Sequence, residues 1–263
     1  MIRYLAGLAL AVMSHSVAAQ DCGAEIPCDL GDRSYHVKLP DEWDGVTPMP
    51  VMLHFHGWAR QGTLIVKHAR ISGATRTRGV LLLAPNGENK TWNFWSANTA
   101  DVDFANAVLE DAAQRYPIDR DNIFISGYSY GSAMAWRYAC DSGTEVRALL
   151  AVSGTLDQQE NCATHPAEVR HVHGLRDTVM DFPLGRDGDT TYPVALWRQM
   201  LDCTPATDVS NYDTTAKDSF ERTIWSDCEN GRNVTLDVHP RGHFIPRGWF
   251  AHQLDQLLAE ASS

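Results

Sequence analysis

The pentapeptide Gly127-Tyr128-Ser129-Tyr130-Gly131 constrains this chain more than any other feature, because of what flanks it. Upstream lies the apolar run Ile123-Phe124-Ile125, and downstream the helix-like stretch Ser132 to Ala139. A strand that passes into a helix within five residues, with glycine at both ends, must turn sharply around the serine between them. The glycines let the strand and helix backbones approach closely, so a bulky side chain at Gly127 or Gly131 is expected to clash. The turn also sets the Ser129 hydroxyl at a helix N-terminus, where free N–H groups and a partial positive charge favour a developing oxyanion. An ordinary glycine-rich turn is the bland alternative, and the strand and helix on either side argue against it.

The rest of the chain supplies a setting for that turn. Short apolar runs alternate with helix-like stretches, the pattern of a mostly parallel sheet covered on both faces. Strands are expected at Ser34 to Leu39, Pro50 to Phe55, Val80 to Ala84, Asn122 to Ser126, Ala148 to Val152, Val169 to Val172 and Val234 to Val238, the early ones antiparallel. Asp101 to Tyr116 places Val102, Ala105, Leu109, Ala112 and Tyr116 on one helical face and stops at Pro117. A last helix from about Trp249 to Ala259 turns Phe250, Leu254, Leu257 and Leu258 inward. The polar segment from Asp202 to Gly231, bounded by two cysteines, reads as an excursion beside the site.

A serine hydroxyl is a poor nucleophile near neutral pH, so Ser129 needs a base within hydrogen-bond reach and a third group that fixes the base's tautomer. The order expected along the chain is serine, acid, histidine. The strand at Val169 to His173 runs into Gly174-Leu175-Arg176-Asp177, which places Asp177 on a loop at a strand's carboxyl end; Asp181 and Asp187 are the substitutes. After Val234 to Val238, two histidines compete for the base. His243 follows a glycine on a loop and is the choice, whereas His239 still belongs to the strand end. The two oxyanion donors are expected from the backbone N–H groups of Tyr130 and Trp58, the latter in the turn His56-Gly57-Trp58. Aromatic side chains at Trp92, Trp95, Tyr128 and Phe244 are candidates to grip substrate.

Arg3, the apolar run Tyr4 to Met13 and the small-residue site Val17-Ala18-Ala19 predict an export signal over residues 1–19 and a catalytic domain over 20–263. The apolar run is about half of the ~20 residues that a membrane span needs. A net charge of -11 argues against nucleic acid or an anionic membrane as partner. A secreted, soluble monomer that meets its ester substrate in the extracellular space or the periplasm is expected. Six cysteines remain after the signal; pairing of nearest neighbours gives Cys22 with Cys28, Cys140 with Cys162 and Cys203 with Cys228, among 15 arithmetic possibilities.

With these segments in view, the sequence resembles the polyhydroxybutyrate depolymerase-like and feruloyl esterase-like group of exported α/β hydrolases, over roughly Val46 to Trp249. The resemblance rests on His56-Gly57, on Trp92 within Thr91-Trp92-Asn93-Phe94-Trp95, on Ile118-Asp119-Arg120-Asp121-Asn122-Ile123, on His173-Gly174 with Asp177 and Val179, and on Gly242-His243. It implies an α/β-hydrolase fold and a serine esterase, acting on feruloyl or acetyl esters of polysaccharide or on short hydroxyalkanoate oligomers. It also implies a triad at Ser129, Asp177 and His243, with no metal or organic cofactor. Tyr130-Gly131-Ser132, Phe244-Ile245 and Trp58 depart from the group's usual residues, which reshapes the pocket.

Three other readings compete. A peptidase or acyltransferase would use the same serine chemistry, and fold alone does not choose between them. A metal hydrolase would draw on His54-x-His56 or His171-x-His173, each pair lying on one face of a strand. A polymer-binding module would keep the fold without the chemistry.

Overall fold

The computed structural model describes residues 22–157, 159–180, 189–204 and 208–261. The expected export signal over 1–19, and the substitute acids Asp181 and Asp187, lie outside these described residues.

One sheet organises them. Its strands are β1 (Cys28–Leu30), β2 (Arg33–Lys38), β3 (Met49–Phe55), β4 (Leu81–Pro85), β5 (Ile118–Tyr128), β6 (Ala148–Val152), β7 (Glu168–Gly174), β8 (Asp208–Thr215), β9 (Asp218–Trp225) and β10 (Asn233–His239). The spatial order is β1-β2-β4-β3-β5-β6-β7-β10-β9-β8. The six central strands from β4 to β10 run parallel, and both flanks are antiparallel. The helices are α1 (Gly62–Val66), α2 (Ser72–Arg76), α3 (Ala100–Arg115), α4 (Tyr130–Ser142), α5 (Ala195–Met200) and α6 (Trp249–Glu260).

Alternation along the strands sorts the core into two halves. Val51, Leu53, Phe55, Leu81, Leu83, Ile123 and Ile125 pack with residues of α3, α4 and α5 on one face. Met52, Leu82, Ala84 and Phe124 pack with α1, α2 and α6 on the other. Strands buried on both faces read as unbroken apolar runs, which is why these were visible in the sequence. The chain moves from β3 outward to β4 and then returns to the other side of β3 as β5. That reversal opens a crevice at the carboxyl ends of β3 and β5, where open α/β sheets place their ligands.

The segment expected as an excursion forms instead the hairpin β8–β9, which extends the sheet beyond β10. Its inward positions on β9 are Asp218, Phe220 and Arg222, so polarity hides the period-two pattern. Similarly, β5 begins at Ile118, before the charged residues Asp119 to Asp121 that masked its start. Disulfides join Cys22 to Cys28, Cys140 to Cys162 and Cys203 to Cys228. The second ties the end of α4 to the loop leading into β7. Among the described residues, no helix is long and apolar enough to cross a membrane.

Candidate active site

The turn between β5 and α4 holds Ser129 at φ 60° and ψ −125°. A residue with a side chain at positive φ costs about 1–3 kcal/mol and persists only where the surroundings enforce it. Here they do. A β-carbon on Gly127 would lie 2.0 Å from the Gly131 carbonyl oxygen, and one on Gly131 would lie 2.1 Å from that of Phe55. Strand, helix and the end of β3 are therefore locked against one another. Gly154 contributes from β6's exit, where a β-carbon would lie 2.6 Å from the Ser129 carbonyl oxygen. No motif in the sequence marked it.

On the far side of the crevice, two loops are zipped together. Leu175 N–H donates to the His239 carbonyl (2.8 Å) and Arg176 N–H to that of Arg241 (3.0 Å), which joins the loop after β7 to the loop after β10. A β-carbon on Gly174 would lie 2.4 Å from the Arg241 carbonyl oxygen, so the contact needs glycine. This seam sets His243 Nδ1 at 2.6 Å from Asp177 Oδ2. The other carboxylate oxygen accepts the N–H groups of Val179 (2.9 Å) and Met180 (3.0 Å). His173 Nε2 approaches Oδ2 at 3.4 Å while bonding the Met180 carbonyl at 2.9 Å. Burial alone would raise the Asp177 pKa, but hydrogen bonds from His173, His243 and the Val179 amide outweigh it and hold the carboxyl below the usual range. An ionised Asp177 accepts from Nδ1–H, which leaves His243 Nε2 as an acceptor on the cavity side.

Tyr128 braces the same imidazole. Its ring lies 4.8 Å from that of His243 and its hydroxyl donates to the His243 carbonyl at 3.2 Å. Burial, with Asp177 nearby, pushes the phenol pKa up to about 12, so the hydroxyl remains a donor. His239, the rival base, is buried, stacks edge-on with Phe220 and Phe244, and accepts the Arg241 N–H at 3.3 Å. It lines the hairpin side, not the cavity.

The turn after β3 is fixed by His56. Its Nε2 accepts the Gly87 N–H (2.9 Å), so its Nδ1 carries the proton and donates to the Gly57 carbonyl (2.8 Å). That carbonyl belongs to the peptide whose N–H is that of Trp58, so pinning one aims the other. Burial lowers the His56 pKa to about 4 and keeps the ring neutral. Gly57 sits beside the elbow, the strand-to-helix turn of residues 127–131: a β-carbon there would lie 3.7 Å from Ser129 Cβ. Among the described residues, the N–H groups of Trp58 and Tyr130 have no backbone partner.

Ser129, His243, Tyr128, Tyr130, Trp58 and Phe244 share one cavity of about 1050 Å³. Trp95 stands outside its lining, 70% exposed and packed on Phe94 and Tyr130. Trp92 corrects the expectation of a substrate contact. It is 2% exposed, packs on Phe55 and His56, and donates its indole N–H to the His56 carbonyl at 2.7 Å. An indole can serve the site from behind. Sequence reading missed the cavity's other wall, the segment from Arg60 to Ile71, which carries no catalytic motif and only one short helix. The histidine pairs offered to a metal are engaged otherwise: His54 with Ser126 Oγ (2.8 Å), His56 as above, and His171 with His173 (3.1 Å).

The Phospholipase/Carboxylesterase family matches residues 98–208, which include the elbow and Asp177. A probable feruloyl esterase C of Aspergillus niger is 26% identical over 194 residues, 70% of this chain and 71% of that one. The chain is a carboxylic ester hydrolase, similar to feruloyl esterases. Feruloyl esterase D of Neurospora crassa is 25% identical over 231 residues, 80% of this esterase and 73% of its own length. The acetyl xylan esterase from Aspergillus awamori, at 12% identity, superposes with a TM-score of 0.65 over 86% of this chain and 94% of that chain. At that identity the likeness establishes a shared α/β-hydrolase fold.

Proposed function

We propose that this esterase works through Ser129, His243 and Asp177 on feruloyl or acetyl esters of plant polysaccharide. The observation that carries the triad is the 2.6 Å pair of Asp177 and His243, presented to the cavity that Ser129 enters from a strained turn. His243 Nε2 takes the Ser129 proton as the hydroxyl oxygen attacks the ester carbonyl. The Trp58 and Tyr130 N–H groups receive the oxyanion, and two such donors are each worth about 100-fold to 1,000-fold in turnover. The C–O bond to the alcohol breaks as His243 returns the proton to it. Water then attacks the acyl-serine by the same route, releasing the acid.

The names of the relatives support the acyl groups. Trp58 and Phe244, both in the cavity wall, supply faces on which a phenolic acyl group or a sugar ring stacks. Three disulfides support an oxidising, extracytoplasmic compartment, consistent with export by residues 1–19.

Purified wild type and Ser129→Ala, assayed in parallel on p-nitrophenyl acetate, methyl ferulate, acetylated xylan and a soluble hydroxybutyrate oligomer, test this reading. Wild-type turnover that disappears in Ser129→Ala is the expected result, with methyl ferulate or acetylated xylan preferred. Preference for the oligomer would move the substrate to polyesters. Residual turnover in Ser129→Ala at the wild-type rate would remove the triad.

A further inference from the structure

The cavity wall opposite the catalytic loops carries a charge that the rest of the chain does not share. The sequence has 33 acidic residues against 22 Lys and Arg, yet no Asp or Glu occurs between Asp44 and Glu88. That stretch holds Arg60, Lys67, Arg70, Arg76 and Arg78. The first three line the same cavity as Ser129 and His243, together with His68, and among the described residues no acidic side chain lines it. Asp177 is not in the lining: it is 4% exposed, and its carboxylate oxygens are taken up by His243 and the Val179 and Met180 N–H groups.

The three cations are committed to different degrees. Lys67 pairs with the exposed Glu25 at 2.7 Å. Arg70 donates to the Ile245 carbonyl and lies 5.7 Å from the centre of the Phe244 ring, so its partners are neutral, and among the described residues no acidic side chain pairs with it. Arg60 is exposed and, among the described residues, makes no ion pair or hydrogen bond through its side chain. Arg60 shares the cavity lining with Tyr128, the ring that packs on His243, and its charge opposes the rise in the Tyr128 pKa that burial and Asp177 cause. An acidic protein repels anions at long range, so a cationic wall confined to the catalytic cavity is a local device that works against the overall field.

We propose that Arg60 and Arg70 form an anion subsite, and that the preferred ester carries a carboxylate a few atoms from the scissile carbonyl. This rests on the serine esterase reading; a carboxylate on the alcohol side keeps the feruloyl or acetyl acyl group proposed above, and one on the acyl side would replace it. A half-ester of a dicarboxylic acid would bring the charge on the acyl side, and an ester to a uronate-like alcohol would bring it on the leaving group. Each guanidinium contributes through a solvent-facing pair, so the selectivity it confers is modest and weakens with salt.

The experiment compares kcat/KM in two arms: p-nitrophenyl hydrogen succinate against p-nitrophenyl butyrate, and 4-carboxyphenyl butyrate against 4-carbamoylphenyl butyrate. Wild type, Arg60→Gln and Arg60→Lys are measured side by side. The anionic-to-neutral ratio is expected to fall about twofold to fivefold in Arg60→Gln in one arm, which identifies the side, and to be kept in Arg60→Lys. In wild type, that ratio is expected to fall as NaCl rises from about 0.05 to about 0.5 M. A ratio that Arg60→Gln leaves unchanged in both arms, or that salt does not move, overturns the subsite. Failure of wild type on all four esters would instead remove the esterase reading beneath it.

Discussion

Two buried carboxylates, Asp177 on the loop after β7 and Asp237 within the neighbouring strand β10, are both saturated with donors, yet their partners differ in kind. Asp237 on β10 accepts from Arg222 (2.7 and 2.8 Å), Tyr212 (2.7 Å) and Trp249 (2.7 Å). Every one of these partners is anchored in β8, β9 or α6, and none lines the cavity. Arg222, its pKa raised by Asp237, keeps its proton at any pH of interest, so the network is a clamp between hairpin and last helix. Asp177 has two backbone amides and two imidazoles, and one of those imidazoles faces the cavity. The difference lies in the partner's capacity to gain and lose a proton, and in whether one of its faces is left open.

Breaking each carboxylate should therefore give unlike results. Asp177→Asn removes the acceptor that fixes the His243 tautomer, and kcat on a p-nitrophenyl ester is expected to fall by about 10⁴ with little change in thermal stability. A comparable loss of stability would show that Asp177 is a clamp like Asp237. Arg222→Met leaves Asp237 buried without its cation, and urea unfolding is expected to show a loss of about 3–5 kcal/mol. The kcat of the folded variant should stay near wild type, and a drop there would tie the hairpin network to the chemistry.

Acidification probes both regions less sharply. Burial lowers the pKa of His54 to about 3 and of His56 and His239 to about 4, while the unfolded chain titrates them near 6.5. Between these values the unfolded state binds more protons, so stability falls as pH drops from about 6.5 toward 4, by up to about 1.4 kcal/mol per unit for each histidine. Urea midpoints measured at steps across that window test the sign. A flat profile would mean that these rings are hydrated in solution.

The same contrast explains what could be read before folding. The elbow was legible because a backbone conformation this constrained demands glycines at fixed offsets, and Gly127 and Gly131 supply them. The parallel strands were legible because double-sided burial makes them uniformly apolar. The β8–β9 hairpin was not, because Asp218 and Arg222 face inward to meet partners that lie far away in sequence. Trp92 misled for a related reason. Its motif placed it near the site, but only the fold could turn its indole N–H onto the His56 carbonyl, behind the turn that follows β3. The Arg60 to Ile71 wall had a charge signature and no motif, and its meaning depends on the cavity it closes.

Covalent labelling tests the central claim most directly. Folded protein treated with diethyl p-nitrophenyl phosphate should gain one diethylphosphoryl group by intact mass. Peptide mapping should place it on Ser129, with esterase activity lost in proportion to the label. Full ester hydrolysis in protein that stays unlabelled, or a label on another residue that tracks the loss, would contradict a Ser129 nucleophile.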